Sequence, residues 1–405
     1  MLFRSELAFK RLWTANIFTN LADGLGKTAF PLLAITLTRD PLLISIIGAL
    51  AMLPWLLFAI PIGAIVDNVD KRKALATTNS IRMLIAAILA LLITTEQVTI
   101  FWLYLVTFVV GICEVFADTT SQSLIPAIVK NKELEKANSR MEMTFTIFQD
   151  FIGAPIGGLL YAVAIAAPFI ANSLGFLIAA LLCLSMPLPF LINKKEFTEK
   201  PGFIKDIKFG INYLFTHKQL LRIVLITTTI GFCWAFASST MILYLVEDLN
   251  LNPKKYGFLL TFNGLIVLLG ALAAPKTAKL IGRGLALALA ISISSITILA
   301  QGLVTNIWLF LIPNAINAFW LPHWNILLMS TYQRLIPQEL YGRIHGTRRT
   351  LVWGMMPIAS FLGGLLAKSD LRTPWLIGGT LATVVSIYSW KFIINLGDSA
   401  VSNDE

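Results

Sequence analysis

Charge is scarce in this chain: Asp, Glu, Lys and Arg make up 13% of its 405 residues, against 57% hydrophobic residues and a mean hydropathy of +0.76. No water-soluble domain of this size needs so much apolar surface. Cysteine is nearly absent: Cys113, Cys183 and Cys233 all fall inside apolar runs, where they read as small packing residues with no disulfide framework. His217, His323 and His345 are scattered without metal-ligand spacing, so no metal or other cofactor is expected. A Gly-Lys-Ser/Thr phosphate loop is missing, which argues against ATP hydrolysis. So is any clustered nucleophile and base, and the chain is not expected to be an enzyme. The first eleven residues carry Arg4, Glu6, Lys10 and Arg11 and lack a signal peptide's apolar run and cleavage site, so the first apolar segment is expected to be kept.

What the chain has is long apolar segments. About 20 apolar residues cross a bilayer core of about 30 Å, and such runs lie near 12–38, 41–67, 74–95, 98–122, 141–166, 168–192, 219–247, 256–280, 285–304, 306–331, 349–367 and 373–396. Twelve spans make an all-α membrane protein. Counted by side, 25 of the 32 basic residues lie in or next to the N-terminus, the even-to-odd loops and the C-terminal tail, and 5 on the side of the opposite loops, with Lys27 and Arg82 mid-span. By the positive-inside rule both termini are cytoplasmic, in a plasma (inner) membrane. The net charge of +10 is therefore a topology signal with a secondary attraction to membrane lipids, and nucleic acid is not an expected partner.

The chain also repeats itself. Leu124-Ile125-Pro126 precedes Gly157-Gly158-Leu159-Leu160, and Leu335-Ile336-Pro337 precedes Gly363-Gly364-Leu365-Leu366; the prolines are 211 residues apart and the Gly-Gly-Leu-Leu groups 206. A duplicated half built of membrane helices is the architecture of a secondary transporter. Two six-helix halves, 1–192 and 219–405, are expected, joined by a cytoplasmic linker at 193–218. In that linker Phe203, Ile204, Ile207, Ile211 and Leu214 recur at helical spacing between lysines, as in an amphipathic interfacial helix. Gly153 and Gly157 form a small-xxx-small packing step, and Pro155 between them should bend the fifth span.

Phe9-Lys10-Arg11-Leu12-Trp13, Asn20-Leu21-Ala22-Asp23-Gly24 and Gly63-Ala64-Ile65-Val66-Asp67, with Ser123-Leu124-Ile125-Pro126 and Gln333-Arg334-Leu335-Ile336-Pro337, resemble the major facilitator superfamily. The nearest resemblance is to its drug:proton antiporter branch, which includes macrolide and enterobactin exporters. Gly63, Asp67, Lys71, Arg72 and Lys73 match that family's loop between spans two and three, with Asn68 where it usually has Arg. Asp67 at the end of a span can pair with basic groups and latch the halves, so Gly63, Asp67, Arg72 and Arg82 are assigned to gating, with a topology anchor as the alternative; the resemblance implies that spans one and four line a central cavity.

Ionisable groups inside a bilayer are costly and are functional candidates by default. Asp23 and Lys27 stand one turn apart in the first span, as do Glu114 and Asp118 in the fourth. Asp23–Lys27 reads either as a neutralising salt bridge or as a proton-coupling site. Two carboxylates a turn apart disfavour joint ionisation, which makes Glu114 and Asp118 proton-coupling candidates too. Asp150 and Arg82 are plausible charge partners. Spans seven to twelve offer Trp234, Asn314, Asn317, Trp320 and Trp324 instead, read as a wall for an amphiphilic or cationic small molecule. The expected function is secondary export of such a molecule, drug, macrolide or siderophore-like, by proton antiport with alternating access. The alternatives are a lysophospholipid or lipid flippase of the same superfamily, or a membrane receptor that moves nothing.

Overall fold

Inside a bilayer a chain must satisfy its own N–H and C=O groups, and the α-helix does so within one segment. The computed structural model describes residues 2–66, 69–129, 137, 140–141, 143–187, 212–336, 348 and 350–402, among which there is no β-strand. The main helices are α1 (Leu2–Leu37), α2 (Pro41–Val66), α3 (Lys71–Thr94), α4 (Ile100–Ile128), α5, α6 (Ala167–Leu184), α7 (Lys218–Ser238), α8 (Tyr256–Ile281), α9 (Arg283–Leu303), α10 (Ile307–Leu335), α11 (Met356–Ala367) and α12 (Thr373–Ser402). In α5 a π-helix, Phe145–Gly153, runs into the α-helix Ala154–Val163. Among the described residues ten segments are apolar and long enough to cross a membrane unaided, α11 being counted with the residues before it as Thr350–Ala367. The other two, α1 and α10, have the length but carry Asp23 and Lys27, and Asn314, Asn317 and His323.

Local chemistry sets the ends and the breaks. Asp70 caps α3, its Oδ1 accepting from the N–H groups of Arg72 (3.0 Å) and Lys73 (3.2 Å). Asn306 caps α10 in the same way through Leu309 N–H. A single residue, Gly282, links α8 to α9 at φ +85°, a conformation that glycine adopts without steric cost. Pro155 has no N–H to give, and the turns before it widen so that Ala154 N–H reaches back to Gln149 O. One span expected over 219–247 is divided: α7 ends at Ser238, and Met241–Leu243 and the π-turn Tyr244–Asp248 follow. Ser238 and Ser239 hydroxyls donate to the carbonyls of Trp234 and Phe236 there, competing with the helix ladder.

Contacts divide the chain into two compact units. The first is Met1–Thr38, Leu53–Thr198 and Asn252–Thr261; the second is Arg39–Met52, Glu199–Leu251 and Phe262–Glu405. In the first, α6 packs on α3 and α1, over a core that includes Leu12, Leu75, Leu124, Ile125 and Cys183. In the second, α9 packs on α12 and α10, with Ile223, Leu287, Trp324, Leu327 and Ile393 at its centre. Residues 193–211 of the expected linker lie outside the described residues. Its end, 212–216, is helical and buries Leu214 in the core of the second unit.

Candidate functional site

The polar groups inside the first unit stand on α1, α3, α4 and α5. Residues 23 and 27 share a face of α1, yet their charges turn to different helices. Arg82 Nη2 on α3 donates to Asp23 Oδ1, and Lys27 Nζ donates to Asp150 Oδ1 in the π-helical part of α5 at 2.6 Å. The Asp23–Lys27 bridge is therefore replaced by two inter-helix pairs. The inner one is dry on its cationic side, with the Arg82 side chain 2% exposed; in the outer one Lys27 is 48% exposed. The outer pair depends on α1 and α5 lying close. A β-carbon on Gly153 would stand 2.8 Å from Gly24 Cα, and one on Gly157 would stand 2.9 Å from Leu25 Cα, so only glycine admits the approach.

Glu114 and Asp118 on α4 complete the cluster. Glu114 is half-buried and makes no ion pair or hydrogen bond among the described residues, but it lies within electrostatic reach of Arg82 and Lys27. Asp118 is exposed, and both acids act on Asp23 through space. Four carboxylates, Asp23, Glu114, Asp118 and Asp150, thus stand against two cations, Lys27 and Arg82. In a low-dielectric interior that imbalance favours uptake of a proton or another cation.

Three uncharged residues of α6 also belong to the site and escaped the sequence reading. Phe176 lies under the Arg82 guanidinium, its ring centroid 4.1 Å from Cζ. Asn172 Nδ2 donates to Ala22 O at 2.7 Å, and Ser173 Oγ to Met83 O at 3.0 Å. An amide in the middle of an apolar span was the one available signal.

Of the residues assigned to gating, Gly63 lies on α2 with open space where a β-carbon would stand. Asp67 and Asn68 lie outside the described residues. Arg72 Nη1 donates to Leu184 O (3.2 Å) and Met186 O (3.4 Å), at the last turn of α6, where a cation suits the helix end. Arg82 stands in the inner ion pair.

The second unit brings amides and rings together. Asn314 Nδ2 donates to Asn263 Oδ1 on α8 at 2.5 Å, while Asn317 Nδ2 donates to Ser294 O and to Thr297 Oγ1 on α9. The two amides serve different neighbours. Trp324 is 8% exposed within the core, and Trp320 packs at that core's edge against Phe319 and His323. Trp234 on α7 is 48% exposed. His323 is fully buried between Phe319 O and the Thr277 hydroxyl; the carbonyl accepts only, so Nδ1 carries the proton. Among the described residues no group of His, Cys, Asp and Glu could hold a metal ion.

The family described as transmembrane secretion effector matches residues 3–403 of the chain. Macrolide efflux protein A of Streptococcus pyogenes is 22% identical over 387 residues, covering 94% of this chain and 95% of its own. The staphyloferrin A transporter of Staphylococcus aureus is 25% identical over 278 residues, 67% of this chain and 68% of its own. In fold, the chain is similar to a bacterial homologue of the iron transporter ferroportin in its inward-facing state (TM-score 0.71, 14% identity, covering 95% and 98% of the two chains). It is also similar to the nucleoside transporter NupG (TM-score 0.70, 12% identity, 95% and 98%).

Proposed function

This chain belongs to the transmembrane secretion effector family of the major facilitator superfamily, and from that premise we propose that it exports an amphiphilic or cationic small molecule by proton antiport. The carrying observation is the charge imbalance of the cluster on α1, α3, α4 and α5: Asp23, Glu114, Asp118 and Asp150 with Lys27 and Arg82, and Glu114 without an ion pair among the described residues. Asp23 and Glu114 are assigned as the groups that exchange protons, Arg82 as their shared counter-ion, and Lys27, Asp118 and Asp150 as the charges that bias the exchange. Protonation of Asp23 releases Arg82 to pair with Glu114, and a cationic substrate competes with the proton for the same carboxylates. Such a two-state exchange is what coupling requires, because each ligand then shifts the population the other prefers.

The efflux and siderophore-transporter names of the two relatives support an outward direction and a sizeable organic substrate. In the second unit Trp234, with half of its side chain exposed, is the assigned stacking surface; Trp320, Asn314, Asn317 and Trp324 are assigned to shaping that wall. The basic-loop bias supports cytoplasmic termini in the plasma membrane, with alternating access as the transport mode. Inside-out vesicles energised with an imposed proton gradient test the reading: addition of a macrolide or a siderophore should release protons at a rate absent from empty-vector vesicles. Lysolipid movement independent of the gradient, with no release by either compound, would replace export with flipping.

A further inference from the structure

The helix that holds the inner ion pair contributes no charge to it. Within two turns of α6, Asn172 grips the carbonyl of Ala22, next to Asp23; Ser173 grips the carbonyl of Met83, next to Arg82; and Phe176 lies under the Arg82 guanidinium. Asn172 and Phe176 are 5% and 1% exposed, so neither contact is shared with water. Arg82 itself is under-satisfied: one Nη donates to Asp23, while its buried Nε has no hydrogen-bond partner among the described residues. A desolvated guanidinium with an orphaned N–H gains more from a ring face than an exposed one does. The ring is what remains to fix where the cation sits.

We propose that α6 is a brace for the proton site and that Phe176 is its positioning residue, holding Arg82 on Asp23 and thereby setting the pH range over which Asp23 accepts a proton. This rests on the reading of Asp23 as a proton carrier. The groups facing the pair are Lys27 on α1, Cys113, Glu114 and Asp118 on α4, and Asp150 on α5; α6 presents Asn172, Ser173 and Phe176. With the ring weakened, Arg82 can swing toward Glu114 and leave Asp23 less well paired.

Infrared titration of the purified protein reads this directly, the Asp23 carboxyl band being assigned by its loss in Asp23→Asn. Replacing Phe176 by trifluorophenylalanine keeps the shape and removes most of the negative ring face. The midpoint for Asp23 should rise by about one pH unit, and by a similar amount in Phe176→Leu. Phe169→Leu is the control, since Phe169 lies two turns earlier on α6, is equally buried, and packs edge-on against Phe30. Its midpoint should stay at the wild-type value. An unchanged midpoint in the fluorinated variant, or an equal shift in Phe169→Leu, would overturn the brace. The pH dependence of substrate-driven proton release in vesicles should move with the infrared midpoint. Absence of such release in the wild type would remove the antiport reading, while the titration would still decide whether α6 sets the state of Asp23.

Discussion

The two units solve the same problem, polar groups inside apolar helices, in opposite ways. The first places ionisable side chains there and pairs them across helices: Asp23 with Arg82, Lys27 with Asp150. The second has amides and rings: Asn314 on Asn263, Asn317 on Thr297, His323 on Thr277. At the 206-residue offset of the Gly-Gly-Leu-Leu groups, Glu114 and Asp118 correspond to Trp320 and Trp324. Asp118 is exposed where Trp324 is packed into a core. The repeat therefore preserves the helices but not the use of each face. Among the described residues, ion pairs between mid-span side chains stand in the first unit, and amides and rings take that place in the second.

The largest difference between the units should appear on removing Arg82. Arg82→Met leaves the Asp23 carboxylate without its cation, and breaking a buried pair costs about 3–5 kcal/mol. Thermal unfolding in detergent should fall accordingly and proton-coupled flux should be lost. Adding Asp23→Asn to Arg82→Met should restore most of the stability and none of the flux. Recovery of flux in the double variant would mean that the pair is structural only.

Glu114→Gln sharpens the contrast from inside the first unit. Because Glu114 makes no ion pair or hydrogen bond among the described residues, its neutralisation should leave unfolding within about 0.5 kcal/mol of wild type. Proton-driven export should nevertheless drop at least tenfold, with downhill substrate movement retained. Substrate-dependent proton release at the wild-type rate in this variant would remove Glu114 from the coupling site.

Much of this arrangement was legible from residue types. The spans, their number, the basic-loop asymmetry and the intramembrane charges follow from hydropathy and from the rarity of such charges in lipid. The pairing was not, because i, i+4 spacing says only that Asp23 and Lys27 share a face; which partner wins depends on how closely α3 and α5 approach. The approach of α5 to α1 rests on Gly24, Gly153 and Gly157, whose missing side chains carry no signal of what they let near. Phe176 was invisible for the same reason, since one phenylalanine in an apolar helix looks like any other until a guanidinium lies over it. Likewise Asn317 and Trp324, assigned to a substrate wall from residue type, make contacts that could be read only once α9 and the core were in place.

In the second unit, Asn314→Leu should cost about 0.6 and at most about 1.7 kcal/mol, as hydrogen bonds between membrane helices do. Export at saturating proton gradient should change less than threefold. A loss as large as that of Arg82→Met would mean that the amide pair, too, is a switch, and the contrast between the units would fail.

The smallest effect belongs to a pair outside the spans. Asp40, between α1 and α2, accepts from Leu42 N–H at 2.8 Å and pairs with Lys368 at 3.2 Å, beside the pairs Arg39–Glu247 and Arg372–Asp248. Desolvation pushes the Asp40 carboxyl up, but the N–H groups of Leu42 and Leu43 and the Lys368 ammonium together outweigh it and hold it below its ordinary value of 3.8. A carboxylate depressed on folding contributes stability that is fully present above that ordinary value and fades as pH falls through the folded one. The pair is more than a third exposed on both sides, so solvent and salt screen it, and Asp40→Asn should cost a few tenths of a kcal/mol at neutral pH. That cost should shrink below pH 4 and at high salt. An Asp40→Ala deficit that persisted at pH 3, with Asp40→Asn at wild-type stability throughout, would show instead that Asp40 acts by capping the start of α2 as an uncharged acceptor.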